Sequence, residues 1–284
     1  MWLAFILLSV LFSSMIVLFT KYGVRRTDNT LAAVIWTFLL LFLYIVFTVR
    51  NRLFTEIPYF HIKTVLLLLI SGIFLTGFLW FEIRALSLGE INKVVPINCF
   101  YIIFQMLIEK FAYHHFYTWK IMALYGILFF GILLMLLENK GKNVLHGNIY
   151  LIYAFVATIC YTLLQRVPSF GLGQMNTEIR KVFEMLLAFI LLCIIAFMGK
   201  RQKQIFSISF MNGVAICFSA VCVWMSQWFY ERARTFPNAI YTNEIQKLSI
   251  AVVIILASVF LRERLTPKSF FGMIFLTGAY LFLT

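Results

Sequence analysis

Charge is scarce in this chain: charged residues make up 12% of its 284 positions, about half the share of a soluble domain. Most of the chain therefore does not form water-facing surface. Acid is scarcer still, and the single aspartate, Asp28, falls in a loop, which removes the paired aspartates that intramembrane aspartyl chemistry requires. No Ser/His dyad or His-rich cluster takes its place. The four histidines, at 61, 114, 115 and 146, sit in predicted loops without helical ligand spacing, so no metal site is expected. The five cysteines, at 99, 160, 193, 217 and 222, form no CxxC pair and read as small apolar packers inside helices. The GxG in PSFGLGQMN from Pro168 is followed by nothing that resembles a phosphate loop. Neither ATP nor any other cofactor is expected.

What is present is apolarity, at 63% of residues and a mean hydropathy of +0.94. Runs long enough to cross about 30 Å of hydrocarbon recur along the chain. Ten are read, at about 2–20, 30–49, 64–86, 91–108, 119–137, 148–165, 182–198, 211–230, 239–261 and 270–283. Their apolarity is continuous rather than alternating, which excludes a spanning β-barrel. The first run has no Lys or Arg before it, so it reads as a membrane helix rather than a cleaved signal. The expected fold class is an all-α polytopic membrane protein. The formal net charge of +13 would point to nucleic acid in a soluble protein. Here the basic residues are scattered through loops in twos and threes, and lipid headgroups are the expected neighbours. They divide too evenly between alternate loops for the positive-inside rule to set an orientation.

A shift of 148 residues lays one half of the sequence on the other. Trp80, Phe81, Arg84 and Ala85 fall on Trp228, Phe229, Arg232 and Ala233. Without a gap, Ile97 meets Ile245, Ile102 meets Ile250, Thr118 meets Thr266 and Lys120 meets Lys268. The match covers the third to fifth spans of each half and fades in the first two. Five spans is an odd number, so the second copy enters the membrane in the opposite sense: a 5+5 inverted repeat, residues 1–140 and 147–284, with alternating access as its natural use.

The segment FEIRALSLGEINKVVPIN from Phe81, with Thr118, Trp119 and Lys120 before a closing apolar helix, resembles the EamA repeat of the drug/metabolite transporter superfamily. The second copy resembles it too, in YERARTFPNAIYTNEIQKLS from Tyr230 and LRERLTPKSFFG from Leu261, where Glu263, Arg264, Leu265 and Thr266 match the family's loop between its last two helices. The resemblance implies a ten-helix transporter whose cavity is lined chiefly by helices three, four, eight and nine, often with a role in export. Two departures stand out. His115 occupies the position equivalent to Glu263, and Asn98 and Cys99 stand where the second copy has Gln246 and Lys247.

Lys247 is the sharpest functional pointer, because a cation amid hydrocarbon costs roughly 2.5 to 3.5 kcal/mol unless it meets a partner, a cavity or water. Asn243 lies four residues earlier on the same helical face, with Glu244 and Gln246 flanking it. In the fourth span Asn98, Tyr101 and Gln105 recur at i, i+3 and i+7, one face of a helix. These faces, with Trp80, Gln227 and Trp228, are the expected substrate-binding set. Two readings of Lys247 stay open: neutralisation by Glu244, or a charge for a carboxylate or phosphate on the substrate. The amides have a plain alternative as interhelical hydrogen-bond glue. Trp2 and Trp119 read as belt residues, and Arg84 and Arg232 as snorkelling cations with Glu82 and Glu231 nearby to pair with them. Glu244, then Glu82, are the carboxylates placed to carry a proton. Pro96 removes a backbone donor and weakens the fourth helix beside its polar face.

The expected function is secondary transport, as exporter or exchanger, of a small polar metabolite such as an amino acid or organic anion, in the cell membrane. Two other classes compete: an intramembrane enzyme acting on lipid, and a non-transporting scaffold. Expected partners are the small-molecule substrate and membrane lipid, with a homodimer left open and nucleic acid excluded.

Overall fold

The computed structural model describes residues 1–25, 27–53, 61–112, 117–137, 149–172, 175–199, 208–236 and 242–282. The side chains of Ala112, Asn243 and Glu244 lie outside the described set. Helices run in the order α1 (Trp2–Val24), α2 (Asn29–Arg50), α3 (Ile62–Leu88), α4 (Ile91–Asn98), α5 (Phe100–Ala112) and α6 (Trp119–Leu136). They continue as α7 (Ile149–Arg166), α8 (Thr177–Met198), α9 (Phe210–Arg234), α10 (Thr242–Lys247), α11 (Ser249–Phe260) and α12 (Pro267–Phe282). No strand occurs among the described residues.

Eight helical segments are long and apolar enough to cross a membrane, counting α4 with α5 as one. The segment Ile245–Phe260 and the 16-residue α12 are apolar but shorter. The chain is a multi-pass membrane protein. Its long apolar helices turn many large side chains outward, Phe42, Ile73, Phe130 and Ile152 among them, as a lipid-facing surface must.

Element boundaries recur at the 148-residue offset even where side-chain identity does not. Helices α2 and α8 start and stop at equivalent positions, and both begin on the same device. Asp28 accepts hydrogen bonds from the backbone N–H groups of Thr30 and Leu31 at 2.9 and 3.2 Å, while Asn176, its equivalent, accepts from that of Glu178 at 3.0 Å. Each satisfies donors that a helix start otherwise leaves bare.

The two halves are interlaced. Helix α1 packs chiefly on α9 and α3 on α7, while α2 meets α8 and α6 meets α12. The α1 and α9 pair is antiparallel, because Ser9 touches Ser226, Thr20 touches Ser219, and Gly23 abuts Ile216. Since α3 runs parallel to α1 after two reversals, α3 and its equivalent α9 point in opposite directions. The apolar core forms two main clusters, and each draws on both halves. One gathers Leu128, Ile132, Ala154, Ile254 and Leu276; the other gathers Leu40, Leu79, Ala188 and Ala220. Where α6 crosses α12, a Cβ on Gly131 would sit 2.8 Å from the backbone nitrogen of Leu276, and one on Gly272 would sit 2.8 Å from the Gly131 carbonyl oxygen. Only glycine permits that approach.

One departure from the sequence reading bears on the site. The fourth and ninth spans are each interrupted, at Cys99 between α4 and α5 and at Leu248 between α10 and α11. Pro96 accounts for part of the first break, since it cannot donate to the carbonyl of Asn92. The second has Glu244 in place of a proline; there the Leu248 N–H closes a tighter turn onto the Ile245 carbonyl at 3.0 Å.

Candidate functional site

Both breaks carry polar residues. Asn98, the last residue of α4, donates from Nδ2 to Glu82 Oε1 of α3 at 2.8 Å, and Thr158 of α7 contacts Asn98 Oδ1 at 3.4 Å. The second oxygen of Glu82 is buried with no hydrogen-bond partner among the described residues. Glu82 therefore faces Asn98 and not Arg84, and Glu231 pairs with Lys181 of α8 at 3.4 Å and not with Arg232. The pairing of these acids with the snorkelling arginines, expected from sequence, is replaced. The reason is direction: both arginines turn back over their own indoles, Arg84 at 4.3 Å from the Trp80 ring and Arg232 at 5.5 Å from the Trp228 ring.

Lys247 ends α10 and is 8% exposed. Its ammonium lies 4.5 Å from the centre of the Tyr280 ring and 3.5 Å from the Tyr280 carbonyl oxygen, both on α12. The Tyr280 hydroxyl bonds to that of Tyr101 on α5, whose ring stands edge-on to Tyr161 of α7 at 5.3 Å. Tyr101 and Lys247 thus meet through Tyr280, and Asn98 joins Glu82 one turn away. Thr158, Tyr161 and Tyr280 complete the line from Glu82 to Lys247. Sequence reasoning missed all three, because a lone hydroxyl on an apolar helix looks like packing; spacing of Thr158 and Tyr161 by three was the only signal.

The remaining expected residues lie elsewhere. The backbone carbonyl of Gln105 accepts from Arg166 at 3.3 Å. Trp80 Nε1 donates to Thr30 at 3.3 Å, and Gln227 accepts from the Tyr44 hydroxyl on α2. Trp228 lines a cleft of about 350 Å³ between α2 and α9 with Trp224, Arg50 and Arg232. Asn243 and Glu244, the latter the first candidate for proton coupling, have side chains outside the described residues, as does all of His115.

Charged contacts bracket this polar line at both ends of the bundle. At one end Glu263 accepts from the N–H groups of Ile91 and Asn92 at 3.0 and 3.1 Å, capping α4, with the Lys21 ammonium 3.8 Å away. Lys21 also donates to the carbonyl of Gly89, where α3 ends. At the other end Arg166 of α7 pairs with Glu109 of α5, to which Tyr117 donates. Burial first, then the bond to Glu109, raise the Tyr117 phenol above its ordinary range and keep it a donor. Among the described residues no cluster of three or more His, Cys, Asp or Glu has metal-binding geometry.

Comparison with known proteins adds identity to this geometry. No curated relative matches the sequence. A crystal structure of a protein 12% identical superposes with a TM-score of 0.58 over 96% of this chain and 96% of that one; at that identity the likeness shows the fold alone. Residues 148–284 match the model of the EamA-like transporter family. The family match over the second copy supports a membrane transporter of the EamA family, in the drug/metabolite transporter superfamily.

Proposed function

We propose that the protein is a secondary transporter, exporter or exchanger, of a small polar metabolite of the amino-acid or organic-anion class in the cell membrane. It works as ten spans in a 5+5 inverted repeat, residues 1–140 and 147–284, by alternating access about a cavity between α3, α4/α5, α9 and α10/α11. The reading is of a carrier and not of an enzyme.

The observation that carries the proposal is Lys247. A buried ammonium set over the Tyr280 ring and near its carbonyl, at the break of the ninth span, is a functional position by default in a membrane helix, and its positive charge suits an anionic group on a substrate. The polar line from Lys247 through Tyr280 and Tyr101 toward Asn98 and Glu82 supplies the polar lining such a cavity needs. The opposed directions of α3 and α9, and the separate charged contacts at the two ends, support a rocking mechanism in which one end opens while the other stays shut. Glu82, with one oxygen bonded and the other bare, is the described carboxylate suited to carry a coupling proton.

The test is a thermal-shift screen of detergent-purified protein against amino acids, phosphorylated metabolites and amines, run in parallel on Lys247→Ala. An anionic or zwitterionic ligand should raise the melting temperature of the wild type and not of the variant. Equal stabilisation of both by the same ligand would remove Lys247 from the site and the anion preference with it.

A further inference from the structure

We infer that the cleft between α2 and α9 is a binding site for the headgroup of an anionic phospholipid, independent of whichever metabolite the protein carries. Arg50, Asn51 and Arg232 form its polar end, where both helices terminate. Leu43, Val46 and Phe47 continue it as an apolar wall toward the membrane interior. From Asn51 back to Leu43 is eight residues, about 12 Å of helix. That matches the depth from a phosphate to the upper acyl chain. Trp224 and Trp228 line the facing side, the kind of ring that sits at the headgroup boundary.

Charge supports the assignment. Neither Arg50 nor Arg232 has a carboxylate within ion-pair distance among the described residues; the nearest acid in sequence, Glu231, is taken by Lys181 at 3.4 Å. Guanidinium groups of this kind match a phosphate diester with two parallel donors. Basic pockets between membrane helices are known forms of lipid recognition. An apolar wall running from the cations into the hydrocarbon has no use for a free phosphate but fits an esterified one.

The internal repeat provides a comparison within the molecule. Trp80 and Arg84 stand where the second copy has Trp228 and Arg232, but Met198 and Gly199 replace Arg50 and Asn51. Trp80 is also engaged by Thr30, and Arg84 is shared between Trp80 and Tyr153. The scaffold is duplicated, and the second cation is present in one copy alone. The asymmetry places the anionic lipid at one membrane face.

The experiment is thermal melting of the purified full-length chain in mixed micelles containing dioleoylphosphatidylglycerol, dioleoylphosphatidylcholine, or, in separate arms, inorganic phosphate and glycerol 3-phosphate. Phosphatidylglycerol in large excess should raise the melting temperature by about 3 to 6 °C over phosphatidylcholine. The rise should vanish in Arg50→Gln/Arg232→Gln and persist in Arg262→Gln/Arg264→Gln at the opposite end. Val46→Trp, which keeps both cations and fills the apolar wall, should also abolish it, and serves if the double variant does not fold. An equal rise with inorganic phosphate or glycerol 3-phosphate overturns the lipid assignment in favour of a free-anion subsite. An equal response of wild type and all variants to phosphatidylglycerol overturns the site altogether.

Discussion

Replacing Glu263 should destabilise the protein more than any other single change in a loop. Its carboxylate is 8% exposed, and its ionic neighbour Lys21 is 12% exposed, so water screens the pair little. Two effects add in Glu263→Ala. The first is loss of the α4 cap, worth about 0.5 to 2 kcal/mol. The second is an ammonium left buried without its carboxylate, for which breaking a buried pair costs about 3 to 5 kcal/mol. Taking about 3.5 kcal/mol, the lower end of their sum, and about 2 to 4 °C per kcal/mol for a chain of this order of size, the melting temperature should fall by about 7 to 14 °C. Glu263→Gln retains an acceptor for the helix N–H groups and should lose roughly half as much. The decisive variant is Lys21→Met/Glu263→Gln, which removes the stranded charge and should melt above Glu263→Ala. Intrinsic-fluorescence melting in a single detergent measures all three. A Glu263→Ala protein that melts within about 2 °C of wild type would refute the capping argument.

Three further outcomes are expected. Tyr280→Leu removes the ring beneath Lys247 and should cost about 0.5 to 2 kcal/mol, whereas Tyr280→Phe keeps the ring and should melt close to wild type; equal losses would assign the effect to the hydroxyl bond with Tyr101. If Glu82 carries a coupling proton, Glu82→Gln in proteoliposomes should leave ligand binding in place and abolish the response of uptake to an imposed pH gradient, and an unchanged response would exclude it. Gly131→Leu forces side-chain carbon onto the α12 backbone and should cost about 1 to 3 kcal/mol or prevent folding, while Gly126→Leu, where a Cβ meets nothing within 4 Å, should be neutral in the same melting assay.

Much of the helical layout is legible in sequence because hydrocarbon dictates length and apolarity residue by residue. The offset found from Trp80 and Trp228 also predicts where α2 and α8 begin, although little in their apolar bodies matches beyond Val34 with Val182, Leu39 with Leu187 and Leu43 with Leu191; the shared signal is a cap at Asp28 and Asn176. What local pattern could not give was partnership across the chain. Glu263 reads as a loop acid until the start of α4, 172 residues away, is found beneath it. Tyr280 reads as interior packing until Lys247 lies on its face. The helical face drawn through Asn98, Tyr101 and Gln105 assumed an unbroken helix, and the turn at Cys99 instead sends Asn98 to Glu82 and Tyr101 to Tyr280. Periodicity reports which side of a helix is polar; it carries no information about which neighbour receives that side.

The packing of α1 on α9 has a consequence for synthesis. Ser9 and Ser226 exchange hydroxyl-to-carbonyl bonds at 2.7 and 3.0 Å across 217 residues of chain. A ribosome adding about 5 to 20 residues per second needs roughly 10 to 40 seconds to deliver the second serine after the first. Throughout that interval Ser9 and Thr20 have only their own backbone, neighbouring lipid or the insertion machinery to bond with. The nascent first half is a set of inserted but undocked helices, and a truncation between α6 and α7 should leave it a substrate for membrane quality control.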